Sequence, residues 1–317
     1  MRNAFASEIT SLAKSDSGIA LLSGDIGNRL FDDFKQNFSD RFYNCGVAEG
    51  NMIGVAAGMA SCGLKPIVYT IASFNTYRCL EQIKIDICYH ELPVIIVGVG
   101  AGLSYSANGA THQSCEDIAI LRVLPNMKVV CPADAWEVKA AIKSALEDGG
   151  PVYIRLGKKN EPLVHEKDPD FKIGRAIKLL PGDDVCVLAT GTMVHVAKDT
   201  CQRLSTAGIS AELYSFHTVK PLDERCLGDI TQRFSLLVTI EEHSILGGLG
   251  SALAEYLAIQ GPQETKLLSL GTPDMFLHSS GNQNYFRSCF GLDSQSIARK
   301  IKESYCKLVG KDDALEY

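Results

Sequence analysis

The chain carries no marks of a specialised class. No apolar run reaches membrane-spanning length; the longest, Leu92–Val99, suits a buried strand. There is no basic excess: 31 Lys and Arg stand against 37 Asp and Glu, a net charge of −6, which argues against a nucleic-acid footprint. Residues 1–14 have no signal-peptide pattern and instead alternate polar and apolar residues at helical spacing. No Cys or His cluster has metal-ligand spacing, and no CxxC pair occurs. The eleven cysteines are dispersed and odd in number, and several lie in apolar or helical stretches. They read as buried reduced thiols of a cytoplasmic protein rather than a disulfide framework. Repeats and low-complexity tracts are also missing.

What is present is alternation. At 317 residues the chain is long for one core and suits two α/β domains. Strand-like apolar runs at 18–23, 66–71, 92–99, 127–131 and 152–156 are separated by helical stretches at 48–61, 76–90, 116–124 and 135–146. The last of these starts in a capping box, Asp134 to Glu137. Near-continuous apolar strands between helices imply a parallel sheet covered on both faces. The segment 158–172 is charged, carries Pro162 and Pro169, and reads as a linker. Alternation resumes with strands at 185–189, 210–216 and 236–240 and helices at 194–207, 250–259 and 294–307; the tail 311–317 is expected to fray. The resulting division is a domain at 1–160, a linker at 161–172 and a second α/β domain at 173–317.

Four features could carry chemistry. Glu49 opens an otherwise small and apolar helix, with no charged residue among Val47, Ala48, Met52 and Ile53. It reads either as an exposed first-turn glutamate favoured by the helix dipole, or as a carboxyl walled by apolar groups whose pKa rises enough to donate a proton near neutrality. Gly50, Gly54 and Gly58 share one face of the same helix, which suggests close backbone approach, inside the core or at a subunit interface. Phe74 and Tyr77 follow the strand ending near Ile71, where α/β sheets bind ligands, although core packing also suits a lone Phe. The Gly/Ser/Asn-rich loop 100–113 ends in Ala110-Thr-His112-Gln and follows the next strand; His112 could serve a ligand or only the loop.

Together these motifs resemble a known family. The stretch from Arg41 to Met52 containing Val47-Ala-Glu49-Gly, Gly109-Ala-Thr-His112-Gln, Glu116-Asp117, Leu124-Pro-Asn-Met and Pro132-Ala-Asp134 resemble the pyrimidine-binding domain of transketolases. Gly191-Thr192, Lys220-Pro-Leu-Asp223, Glu241-Glu-His243 and Gly247-Gly-Leu-Gly-Ser251 resemble the accompanying C-terminal domain, which also occurs in deoxyxylulose-phosphate synthase and in the beta chains of 2-oxo acid dehydrogenases. The resemblance spans nearly the whole chain. It implies an α/β fold of two domains, each a mainly parallel sheet covered by helices. It also implies a thiamine-diphosphate enzyme moving a two-carbon ketol unit from a ketose to an aldehyde.

By that resemblance Glu49 contacts N1′ of the cofactor's aminopyrimidine and so promotes proton removal from thiazolium C2; Phe74, Tyr77 and Ile71 wall the ring, and Asp25 lies near the cofactor. His112 contacts the sugar, and Arg2 falls where a phosphate-binding arginine is expected. The family's GDG motif for metal and diphosphate does not occur in the sequence. A partner chain, the N-terminal-half subunit, is therefore expected to hold Mg2+ or Ca2+ with the diphosphate, in an α2β2 heterotetramer. Three positions depart from the sugar-phosphate pattern: Gly100 replaces a histidine, Asn108 an aspartate and Lys158 an arginine. Losing the imidazole, a charge and the guanidinium fork implies a wider, differently polarised channel and an uncommon acceptor, unless Arg2 and Arg29 or the partner restore phosphate binding. The alternatives are the beta subunit of a 2-oxo acid dehydrogenase and a non-catalytic regulatory subunit; Glu49 argues against the latter, since a buried carboxyl is costly to keep.

Overall fold

Runs such as Ile95–Val99 and Val152–Leu156 have no exposed face at all, so their side chains must be covered from both sides. The computed structural model describes residues 1–27, 29–262 and 264–310; the tail 311–317 lies outside them. The first half runs α1 (Arg2–Leu12), β1 (Ile19–Ser23), α2 (Asp32–Asn37), β2 (Phe42–Asn44), α3 (Glu49–Ser61), β3 (Lys65–Ile71), α4 (Ala72–Thr76) and α5 (Leu80–Gln82), then β4 (Ile95–Val99), α6 (Asp117–Arg122), β5 (Lys128–Val130), α7 (Ala135–Asp148) and β6 (Val152–Leu156). The second half runs β7 (Ile177–Leu180), β8 (Val185–Ala189), α8 (Met193–Thr206), β9 (Ala211–Ser215), β10 (Thr218–Lys220), α9 (Glu224–Arg233), β11 (Leu236–Ser244), α10 (Leu249–Ile259), β12 (Lys266–Thr272), α11 (Gln283–Cys289) and α12 (Ser294–Val309). Among the described residues no helix is long and apolar enough to cross a membrane.

One sheet has seven strands in the order β10-β5-β6-β4-β3-β1-β2, the other five in the order β12-β11-β8-β9-β7. All pairings are parallel except two, β10 on β5 and β7 on β9. This is the two-sheet α/β architecture expected from the sequence. The edge pair β10–β5 joins the halves: Cys131 N–H donates to the His217 carbonyl at 2.6 Å, just before Thr218 pairs with Val130. A single apolar cluster continues across the seam, from Met52, Ile83 and Ile118 to Phe216, Leu227 and Leu253. Phe5, Ile9 and Val138 fill the opposite side of the seven-stranded sheet.

One expected helix is broken. The stretch 76–90 divides into α5 and a π-helical turn, Ile83–Cys88, and helical structure already begins at Ala72. Local polar side chains take over backbone partners there: Asn75 Nδ2 donates to the Val97 carbonyl and the Thr76 hydroxyl to the Ala72 carbonyl. The cap of α7 also differs in detail. Asp134 accepts from the Trp136 and Glu137 amides, but Glu137 accepts in turn from Ala133, one residue before the cap.

Segment 158–171 has no helix or strand, yet it is fastened down. Asp134 accepts from the amides of Val164 and His165, and the His165 ring lies 2.8 Å from the buried Glu137 carboxylate. Phe171 stacks on His217 at 3.9 Å. Burial alone would lower the His165 pKa, but the hydrogen bond and charge of Glu137 outweigh it and raise it. A raised folded-state pKa contributes stability that is complete below the ordinary value of about 6.5 and lost as pH climbs through the raised value. Thermal melts of the parent and His165→Gln should therefore differ most at acidic pH and converge above neutrality; a gap that widens with pH contradicts the pairing.

Candidate active site

Neighbouring strands β1, β3 and β4 point their C-terminal ends at one edge of the seven-stranded sheet, and ligands of α/β sheets bind outside such ends. β1 delivers Asp25, which adopts φ 57° and accepts from Asn44 Nδ2 at 2.9 Å. β3 delivers Ile71, Phe74 and Tyr77 through α4. β4 delivers the loop 100–113. The opening of α3 brings Glu49 to the same region.

Glu49 is 1% exposed although it is the first residue of its helix, which discards the reading of an exposed first-turn glutamate. The expectation of a carboxyl with no charge partner is also corrected. Arg78 Nη1 donates to Glu49 Oε2 at 2.9 Å, and the guanidinium lies over the Phe74 ring, 5.4 Å from its centre. The partner escaped notice because it comes from 29 residues away, on the turn after α4. The Arg78 side chain itself is 56% exposed, so the ion pair is open to solvent on one side. Among the described residues nothing outside the helix's own backbone lies within 4 Å of a Cβ built on Gly54 or Gly58, while one on Gly50 would meet Gln82 Oε1 at 3.9 Å. Close packing inside the core therefore does not account for Gly54 and Gly58.

Contacts continue from Phe74. Its ring meets His112 edge-on at 5.1 Å, and His112 meets Tyr105 at 6.4 Å. Lys158 Nζ lies 4.8 Å from the centre of the Tyr105 ring. Burial raises the Tyr105 and Tyr69 phenols, and the charge of nearby Arg2 opposes that rise. Arg2 Nε is buried and, among the described residues, has no hydrogen-bond partner. Pairwise contacts thus link Glu49, Arg78, Phe74, His112, Tyr105 and Lys158 in one chain, with Arg2 near Tyr105. Other expected residues lie beside it. The Tyr77 hydroxyl turns away to Glu116 at 2.5 Å, Asn108 is exposed, and Ile71 packs towards the core. Arg29 is exposed with φ 61°.

Tyr105 overturns the wider channel expected from Gly100. Gly100 has φ 84°, and a Cβ there would run into the Tyr105 ring. The space beside Gly100 is filled by an aromatic ring five residues later. A glycine followed closely by a tyrosine in a loop was the available signal.

Behind the loop the seam is charged and dry. Asp117 accepts from Arg155 Nε at 2.8 Å and from the Tyr153 hydroxyl at 2.6 Å, all three buried. Burial is the largest single influence and opposes ionisation of Asp117, but the charge and hydrogen bond of Arg155, with His243 and the Tyr153 hydroxyl, together outweigh it and hold the pKa below the ordinary carboxylate range. The Glu241-Glu-His243 motif divides its work. Glu241 accepts from the Leu249 and Gly250 amides at the start of α10, while burial still pushes its pKa up to about 7. Burial lowers His243 to about 4, and its Nε2 accepts from Ala119 of α6. Glu242 reaches back into the first half, where it accepts from the Leu103 amide.

Among the described residues no group of three or more His, Cys, Asp or Glu side chains is placed to hold a metal. Glu49 and Phe74 are joined through one flat cation, the Arg78 guanidinium. Residues 1–162 match the family model "Transketolase, pyrimidine binding domain", and residues 174–297 match "Transketolase, C-terminal domain". The chain is 34% identical to one of the subunits of an apulose-4-phosphate transketolase of Phocaeicola vulgatus, over 95% of this chain and 96% of that one. It is 36% identical to a 6-deoxy-6-sulfo-D-fructose transketolase subunit of a Clostridium species, over 96% of this chain and 94% of that one. A solved split-gene transketolase, described as an inactive β4 tetramer, superimposes with a TM-score of 0.87 at 36% identity, covering 96% of this chain and 97% of its own. The two domain matches in order, and relatives similar over almost their whole length, establish that this chain belongs to the transketolase family.

Proposed function

We propose that this chain is one half of a thiamine-diphosphate-dependent transketolase, which transfers a two-carbon ketol unit from a ketose to an aldehyde when a partner chain supplies the diphosphate and metal site. The observation that carries the reading is Glu49, a carboxylate buried at a helix start beside the half-buried Phe74 ring, with Arg78 as its partner. Thiamine diphosphate, when bound, supplies the carbanion chemistry at thiazolium C2. The chain's own residues would do the rest. Glu49 would hold or share a proton at the pyrimidine N1′, and Phe74 and Tyr77 would offer the ring a wall. Arg78 already places a flat cation on Glu49 and Phe74, so those two groups suit a planar basic ring; its exposure leaves it room to withdraw.

His112 and Asn108 would meet sugar hydroxyls. Arg2 and Lys158, both near Tyr105, would meet an anionic end of the substrate. Asp25 would stand near the cofactor. The partner would be the N-terminal-half subunit, with Mg2+ or Ca2+ held there, in an α2β2 assembly. Relatives named as subunits support this arrangement, as does the β4 tetramer described as inactive. All eleven cysteines are unpaired, which suits a reducing cytoplasm. For the acceptor we propose an uncommon anionic sugar, supported by the Tyr105 ring beside Gly100 and the Lys158 ammonium over it; the 6-deoxy-6-sulfo-D-fructose named for one relative is a ketose and supports an uncommon anionic donor as well.

Three outcomes follow. Alone, the chain should bind thiamine diphosphate very weakly and turn nothing over; calorimetry showing micromolar binding by the lone chain would contradict the partner. In the reconstituted pair Glu49→Gln should slow hydrogen–deuterium exchange at cofactor C2 by at least about 10²-fold, the lower end of a general acid–base contribution. An unchanged exchange rate removes Glu49 from the chemistry. With ribose 5-phosphate as acceptor the pair should fall below the ordinary kcat/KM of about 10⁴ M⁻¹s⁻¹; a value above that overturns the uncommon acceptor.

A further inference from the structure

We infer that Glu242, in the second half of the chain, is a positioning residue for the sugar-binding loop 100–113. The inference rests on the proposed function above, which gives that loop its His112 and Asn108 roles.

Glu242 is 1% exposed, and its carboxylate is fully engaged. Oε1 accepts from the Leu103 amide at 2.8 Å and from Gln283 Nε2 at 2.8 Å; Oε2 accepts from Arg287 Nε and from Gln283 Nε2 at 3.1 Å. Arg287 in turn donates to the Thr192 hydroxyl at 3.1 Å. The carboxylate is therefore fixed from the second half before it reaches the loop. Leu103 is itself buried, so its amide would have no other partner if Glu242 withdrew.

Two further contacts fix the base of the loop to the same place. Arg155 Nη2 donates both to the Glu242 carbonyl at 3.1 Å and to the Ser114 carbonyl at 2.7 Å. Gly102 and Ser114 pair with each other across the loop's neck at 2.9 and 3.0 Å. Gly102 has φ 57°, and a Cβ there would come within 2.5 Å of the Glu242 carbonyl oxygen. The loop neck thus rests directly on residue 242, with no space for a side chain between them. Asn108 and His112 lie on the far side of that neck, so their placement depends on where Glu242 holds Leu103 and Gly102. This gives the second half of the chain a part in substrate placement without any contact with the substrate.

The test uses the reconstituted pair and two readouts. In Glu242→Ala the KM for the sugar should rise by about tenfold or more, since small misplacements of binding groups cost up to about 10²-fold. Hydrogen–deuterium exchange at cofactor C2, which reads Glu49 rather than the sugar contacts, should stay within about twofold of the parent. Glu242→Gln should fall between, because its amide oxygen still accepts from Leu103. Gly102→Ala, which presses on the same contact from the loop side, should reproduce the KM effect and decides the matter where Glu242→Ala does not fold. An unchanged KM, or an exchange rate that falls in step with the rise in KM, overturns the inference. Absence of C2 exchange in the unaltered pair is a separate result and refutes the function on which the inference rests.

Discussion

The buried pairing of Asp117 with Arg155 is the constraint around which the rest of the molecule is arranged. Two opposite charges removed from water are tolerable only with good geometry and with their remaining polar atoms bonded. Here Tyr153, the Ser114 carbonyl and the Glu242 carbonyl provide that bonding on one side, while Asp117 Oδ1 has no hydrogen-bond partner among the described residues. Arg155 lies on β6, Asp117 at the start of α6, Ser114 at the neck of the loop and Glu242 on β11. One guanidinium therefore registers four elements from both halves. The apolar cluster that crosses the seam excludes water around it, which strengthens the pairing and raises the cost of breaking it.

Much of the architecture was readable in the sequence because the central strands are buried on both faces. Runs such as Val152–Leu156 and Val185–Ala189 need no periodicity to be recognised, and the structure keeps those limits. The elements that escaped lie at sheet edges or carry a narrow apolar stripe. β2 is only three residues long and half-exposed, β7 has no fully buried residue, and α9 buries only Leu227 and Ile230. Such segments are held by their neighbours more than by their own pattern, so a local reading has little to detect. The broken helix at 76–90 has the same origin, since Asn75 finds its partner on β4.

In the candidate site, Glu49, Phe74 and His112 were legible as residue types in unusual settings, and the fold brings them together. Arg78, Tyr105 and Glu242 were not. Their roles rest on contacts across 29, 5 and 139 positions respectively. Gly100 looked like a loss when considered alone; with Tyr105 in view, the space beside it is already filled by a phenol ring.

The short strand β10 covers the outer edge of β5, and so closes one end of the seven-stranded sheet with backbone from the other half of the chain. A chain cut in the segment 158–172 would leave β5 with a row of unpaired amides and carbonyls, the kind of edge that recruits foreign strands. Such a geometry limits where the polypeptide can be divided. β10 is the one strand of the seven-stranded sheet that follows the segment 158–172, so a break before it would leave the front half with an open edge.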